Sequence, residues 1–126
     1  MEEKSEVEYF FDSYAIAELI HGNPNYKNFS DKLVTITVFN LAEIYLMAIK
    51  NYDEEKANEI YEEYSGYIVE IPNDVLKDAM KFKKENKKKR FSYADCIGYV
   101  YALKNKMKFL TGDREFTGLK NVEFAR

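Results

Sequence analysis

The sequence predicts an α/β fold built on a central, mainly parallel sheet of about five strands with helices on both of its faces. Short runs of aromatic, aliphatic or β-branched residues alternate with longer segments whose apolar residues recur at helical spacing. Little between these segments reads as a hairpin turn, so successive strands must be joined by crossovers, and a crossover lays a helix over the sheet. The chain of 126 residues is expected to form one domain over 1–126, long enough to bury about two-thirds of its unfolded surface.

Residues 9–12, Tyr-Phe-Phe-Asp, form strand one, a buried run that stops at a carboxylate. Ala15, Ile16, Leu19 and Ile20 then follow helical spacing until Gly22-Asn23-Pro24-Asn25 ends the helix. Residues 25–31 suit a short helix, and Leu33-Val34-Thr35-Ile36-Thr37 is β-branched enough for strand two. A helix over 38–50 places Phe39, Ala42, Tyr45, Leu46 and Ile49 on one face, with Thr37 as its N-cap. A Glu-rich helix over 53–64 stops at Gly66, and Tyr67-Ile68-Val69-Glu70-Ile71 is strand three. Pro72-Asn73-Asp74 opens a helix through Val75, Leu76, Ala79 and Phe82. A further helix occupies 92–106, followed by strand four at 108–111 and a short strand five at 121–124.

Composition narrows the chemistry. With 46% hydrophobic and 33% charged residues the chain reads as an ordinary soluble globular protein. No apolar run approaches the roughly 20 residues of a membrane span, and the acidic, polar start at 1–8 is unlike a secretory leader, so a cytoplasmic location without membrane attachment is expected. Cys96 is the only cysteine and His21 the only histidine, which excludes an internal disulfide and zinc cages of Cys or several His. A Ser-His-Asp triad would have to run through His21, which precedes a turn and has no distinctive serine context. The net charge of −3 divides into −9 over residues 1–63 and +6 over 64–126. A basic half can meet phosphate locally without making the whole molecule a nonspecific nucleic-acid binder.

Four carboxylates stand out. Asp12 ends strand one, where an acid either caps the next helix or faces a site at the sheet edge. Glu43 has Phe39, Leu46 and Met47 as its helical neighbours, and a carboxylate on an apolar stripe is costly unless paired or at the stripe's rim. Asp95 follows Ser92 by three positions, which by itself is a capping box. Asp113 follows strand four and Gly112, an everyday turn context. If strands one and four are neighbours in a parallel sheet, Asp12 and Asp113 leave the same edge, and helices starting there bring Glu43 and Asp95 over it. Four such acids repel one another unless a divalent cation neutralises them. Oxygen ligands without His or Cys point to Mg²⁺ or Mn²⁺, which accept phosphate oxygens and suit phosphodiester hydrolysis.

The segments Phe10-Phe11-Asp12-Ser13, Asn40-Leu41-Ala42-Glu43, Ser92-Tyr93-Ala94-Asp95 and Leu110-Thr111-Gly112-Asp113 resemble, in order and separation, the four acidic motifs of the PIN-domain ribonucleases. The resemblance covers essentially the whole chain and is greatest to VapC-type toxins of toxin–antitoxin pairs, particularly archaeal ones. It implies a three-layer α/β/α sandwich, Mg²⁺ or Mn²⁺, endonucleolytic cleavage of RNA, a cognate antitoxin protein and a homodimer. By matching motif, Asp12, Glu43, Asp95 and Asp113 would be the catalytic acids. Asp12 and Asp95 come first as metal ligands, with Glu43 and Asp113 orienting water or holding a second ion. Ser13 and Thr111 match the small hydroxyl positions supporting the site. Tyr14 departs from the family pattern, in which a small polar residue is common, and bears on substrate fit beside Asp12.

The basic run ahead of Asp95 includes Lys87, Lys88, Lys89 and Arg90, candidates for RNA backbone contacts, although basic residues after a helix also complement its dipole. Tyr14, Tyr45, Tyr93, Tyr99 and Tyr101 could stack bases or fill core and interface positions. Three other readings compete. A haloacid-dehalogenase-type phosphatase also begins with an acid after strand one, but Tyr14 stands where its second Asp belongs. A receiver-like domain lacks paired acids before strand one here. The third reading is a catalytically inactive PIN-like module that binds RNA or protein.

Overall fold

The computed structural model describes residues 6–126; the sequence reading of the extreme N-terminus falls in part on residues 1–5, outside the described residues. Strand β1 (Tyr9–Phe11) leads into helix α1 (Ser13–His21) and a 3₁₀ helix (Pro24–Phe29). Helices α2 (Val38–Asn51), α3 (Glu54–Ser65), α4 (Asn73–Glu85) and α5 (Tyr93–Lys104) follow. Strand β2 (Lys108–Thr111), a short 3₁₀ turn (Arg114–Phe116) and strand β3 (Val122–Phe124) close the chain. No helix among the described residues is long and apolar enough to cross a membrane.

The sheet has the order β1-β2-β3, with both pairings parallel. The five strands expected from sequence therefore become three among the described residues. The segments expected as strands two and three lie extended beside β1 and meet in one parallel bridge, Ile36 to Ile68. Three backbone bonds tie them in: Phe11 N to Thr35 O at 3.0 Å, Ile36 N to Tyr67 O at 3.2 Å and Val69 N to Ile36 O at 2.9 Å. The ladder stops there because the Thr37 N–H is diverted to the Asn40 side chain at 2.9 Å, starting α2 instead of extending a strand. Leu33, at the other end, is 76% exposed.

Alternation along the two central strands divides the core between the two faces of the sheet. Phe10 and Phe109 stack at 5.9 Å between centroids and face Val75, Ala79, Ile97 and Val100 of α4 and α5. Phe11 and Leu110 point the opposite way, into Ala15 and Ile16 of α1, Leu41 and Ile44 of α2 and Ile60 of α3. These are the three layers that the motif resemblance implies.

Helix α2 turns a different face inward from the one its strongest apolar spacing suggests. Asn40, Leu41, Ile44 and Ala48 are buried, whereas Phe39, Leu46 and Ile49 are exposed. Both faces of this helix are apolar, and the inner one is chosen by the junction with Thr37, which aims Asn40 into the fold. Helix α1 ends as the sequence indicates, on Gly22 at φ +75°, a left-handed position glycine occupies without strain.

Close packing of α5 on β1 depends on Gly98, where a Cβ would collide with the Phe10 ring. Gly98→Ala is expected to lower the melting temperature, costing about 1–3 kcal/mol through overpacking. Thermal unfolding of the variant against the parent checks this; an unchanged midpoint would mean that the Phe10 ring yields freely.

Candidate active site

Adjacent parallel strands β1 and β2 deliver Asp12 and Asp113 to the same edge of the sheet. Asp12 is 2% exposed, and its own N–H is fixed to Leu110 O at 3.1 Å. Its carboxylate caps α1, accepting from the Ala15 N–H at 2.8 Å, and hydrogen-bonds the Thr111 side chain. Burial pushes its pKa up to about 8; the Thr111 and Ala15 bonds oppose that, and the charges of Asp95 and Asp113 add to it.

Thr111 also accepts from the Asp113 N–H at 3.0 Å, so one hydroxyl holds both sides of the β1–β2 edge. Asp113 caps the following 3₁₀ turn through the Glu115 N–H at 3.0 Å. The turn between Thr111 and Asp113 has to be glycine, since a Cβ on Gly112 would collide with the Tyr14 ring and the Ala125 carbonyl. Tyr14 is thus a half-buried wedge against this turn.

Glu43 is held by a chain of polar side chains in which each donor has one partner. Ser13 donates to Glu43 Oε1 at 2.5 Å, Asn40 donates to Ser13 Oγ at 3.1 Å, and the Thr37 hydroxyl donates to Asn40 Oδ1 at 3.0 Å. Asn40 has no role in the sequence reading although it stands in the second motif. Its signal is a polar residue on the same helical face as Glu43, three positions ahead, which turns out to be fully buried.

Asp95 makes the reciprocal capping box with Ser92. Its N–H donates to Ser92 Oγ at 3.0 Å and its Oδ2 accepts from the Ser92 N–H at 2.9 Å. Burial raises its pKa to about 6, with Glu43 and Asp113 as the neighbouring charges that add to the shift. Capping and clustering, which the sequence leaves as alternatives for Asp12 and Asp95, are therefore both true of each.

Among the described residues none of these four acids pairs with a lysine or arginine. Nor is any group of three or more acidic, His or Cys side chains drawn together into a ready-made metal cage. Oxygen donors that repel one another, one of them buried without a counter-charge, suit a hard divalent cation. An open arrangement suits Mg²⁺ in particular, which binds through one or two carboxylates and keeps several waters.

Lys87, Lys88, Lys89 and Arg90 are all exposed in the turn between α4 and α5. Arg90 shares a groove with Asp113, Arg114 and Glu115. Lys87 and Lys89 line a second groove, and Lys88 lines neither. His21 is exposed and hydrogen-bonded to the Tyr52 hydroxyl at 3.0 Å. Cys96 is buried, with its thiol pushed up to about 11, an inert filler.

The family model of the PIN domain matches residues 9–122. The chain belongs to the PIN domain family. That assignment supersedes the phosphatase and receiver alternatives. No curated protein matches this PIN domain in sequence. Its fold is similar to that of a toxin–antitoxin complex chain from Klebsiella pneumoniae, with 18% identity, a TM-score of 0.74, and 92% of this chain and 96% of that one covered. It is also similar to VapC20 of Mycobacterium tuberculosis, a toxin that cleaves the sarcin–ricin loop, with 15% identity, a TM-score of 0.76, and 94% and 100% covered. A third likeness is to VapBC2 of Rickettsia felis, bound to a DNA fragment from its promoter, with 13% identity, a TM-score of 0.69, and 95% and 100% covered.

The raised acids make the metal-free PIN domain sensitive to pH. Between the ordinary carboxyl value of 3.8 and about 8, native Asp12 keeps a proton that the unfolded chain has lost. Stability therefore falls as pH rises through that window, with Asp95 contributing up to about 6. Asp12→Asn preserves a good N-cap acceptor and removes the buried charge. In EDTA its melting temperature is expected to exceed the parent's by about 5 °C at pH 8, the gap closing towards pH 4. Thermal unfolding across that range is the measurement, and parallel curves would contradict the assignment.

Proposed function

We propose that this PIN domain is a Mg²⁺- or Mn²⁺-dependent endoribonuclease, the VapC-type toxin of a toxin–antitoxin pair, acting as one domain over 1–126 in the cytoplasm. The observation that carries the reading is Asp12 buried at the end of β1 with no salt bridge among the described residues, close enough to Asp95 and Asp113 for their charges to raise its pKa, as Glu43 and Asp113 raise that of Asp95. Similarity to a toxin–antitoxin complex and to an RNA-cleaving toxin supports it at the level of fold.

In this reading Asp12 and Asp95 are the primary metal ligands. Thr111 and the α1 and α5 caps hold their carboxylates in place before any ion arrives. Glu43, anchored by Ser13 and through it by Asn40, and Asp113, anchored by its turn, orient the attacking water or complete a second ion's shell. The cation, when bound, supplies Lewis acidity at the scissile phosphate and lowers the pKa of a bound water. Hydrolysis would form a water oxygen to phosphorus bond and break the bond to the leaving ribose oxygen in line, the attacking water giving its proton to a carboxylate and the leaving oxygen taking one from solvent water. No side-chain nucleophile is needed. A second reading, an RNA- or protein-binding module without catalysis, draws on the absence of a closed metal cage among the described residues.

Incubating purified protein with RNA and Mg²⁺ and sequencing the ends separates the two readings. Asp12→Asn and Asp95→Asn, each alone, are expected to reduce cleavage by at least about 100-fold while circular dichroism stays native. Full activity in either variant would falsify the site.

A protein partner is supported by the apolar face of α2 and α3, where Val38, Phe39, Leu46, Ile49 and Tyr61 are exposed together. We assign this face to the homodimer and leave the grooves around the acids to RNA and antitoxin. Leu46→Asp is expected to convert a dimer to a monomer in sedimentation, with the fold retained; a dimer that persists would move the contact elsewhere.

A further inference from the structure

Two surface grooves lie in and beside the segment linking α4 to α5, lined by the consecutive residues Lys89 and Arg90 respectively. One is lined by Arg90, Asp113, Arg114 and Glu115, so it opens on one of the four acids. The other is lined by Met80, Lys83, Lys84, Lys87, Lys89 and Tyr93, and Tyr93 stands two positions ahead of Asp95 at the start of α5. Lys89 Nζ lies 3.8 Å from Glu115 Oε2, which links the grooves. Among the described residues Lys83, Lys84 and Lys87 form no ion pair. Several uncompensated ammonium groups beside a cluster of acids are a local reversal of field.

Tyr93 gives this groove a chemistry that charge alone lacks. Its side chain is 60% exposed at the rim. Lys83 Nζ sits over the ring, 5.1 Å from its centroid, and donates to the Phe91 carbonyl at 2.5 Å, which anchors the ammonium there. The core has no use for such a ring, but an unpaired base does, because every base has a π face to stack.

We infer that the lysine groove seats unpaired RNA on its way to the acidic edge, with Tyr93 stacking a base and Lys84, Lys87 and Lys89 meeting the phosphates. The inference rests on the ribonuclease reading and refines it. Of the basic residues ahead of Asp95, Lys88 drops out of the track, Arg90 belongs to the exit beside Asp113, and Lys83 and Lys84 stand with Lys87 and Lys89, while Tyr93 takes the stacking role that the sequence offered to several tyrosines. Single-stranded substrate is specified because a lone exposed ring can stack only on a base that is out of a duplex. An acidic polypeptide would use the lysines and leave the ring idle.

The test measures binding of a fluorescent oligouridylate of about twelve nucleotides to full-length protein carrying Asp95→Asn, so that no strand is cut. Tyr93→Ala is expected to weaken binding about 10-fold without changing its salt dependence, and Tyr93→Phe to stay within about 2-fold of the parent. Lys84→Ala with Lys87→Ala is expected to lower the slope of log affinity against log salt by about 1.4, from roughly 0.7 per phosphate contact. Lys81→Ala with Lys88→Ala should leave the slope unchanged. Parent-like binding by Tyr93→Ala, or an equal slope change from the control pair, would overturn the inference. So would a polyglutamate peptide of similar length that binds more tightly than the RNA and loses as much on Tyr93→Ala. Binding needs no cleavage, so a parent protein that fails to cut RNA sinks the nuclease reading while this measurement still decides the groove.

Discussion

A carboxylate with almost no access to water, at the end of a buried strand, is the constraint on which the rest of this molecule is arranged. Asp12 sits there because β1 is covered on both faces, by Phe10 against one helical layer and Phe11 against the other, leaving its terminal residue nowhere polar to go. An isolated charge in that position is strongly disfavoured. The protein answers with a helix N-terminus and a threonine hydroxyl, which offset part of the penalty but leave the pKa near 8. It supplies no lysine or arginine among the described residues.

The supporting groups are economical in a way that couples fold to site. Thr111 joins Asp12 to the Asp113 turn, and Ser92 and Asp95 cap α5 while Asp95 faces the other acids. Asn40 starts α2 through Thr37 and steadies Glu43 through Ser13. Three of the four catalytic candidates, Asp12, Asp95 and Asp113, are therefore also capping residues, and the fourth, Glu43, hangs on the residues that start α2. Mutating one perturbs the local backbone as well as the charge, which is why Asn, an able cap itself, is the informative replacement for Asp12.

The same coupling explains how far the sequence could be read. Helix positions were legible, because caps such as Ser92 and stops such as Gly22 act within a few residues of themselves. The pairing of β1 with β2 could be stated only as a condition, because two continuous apolar runs show that both faces are covered but not which strands are neighbours. Strands two and three were not legible: their β-branched residues suit a ladder, but whether one forms depends on where Thr37 sends its N–H, and that is decided by Asn40 from the next helix. The inward face of α2 was hidden for a related reason. When both faces are apolar, spacing cannot choose between them, and the choice falls to a polar contact far weaker in any hydrophobic pattern. Asn40 itself left almost no trace, since a buried asparagine is recognisable only by its partners.

Charge placement adds the last step. The acids gather at the sheet edge, and the lysines gather one turn of chain away, in the segment linking α4 to α5. The two sets could have neutralised each other in ion pairs; among the described residues Lys89 with Glu115 is the single pair joining the lysine segment to the turn that follows Asp113. Keeping them apart costs some Coulomb energy, about 1 kcal/mol or less for each exposed pair forgone. What the separation preserves is an uneven field, positive along the segment linking α4 to α5 and negative at the sheet edge. A polyanion would be repelled by the edge alone and held unproductively by the lysines alone. On the proposed reading the two regions together would give it a direction, from the lysines and Tyr93 towards the acids.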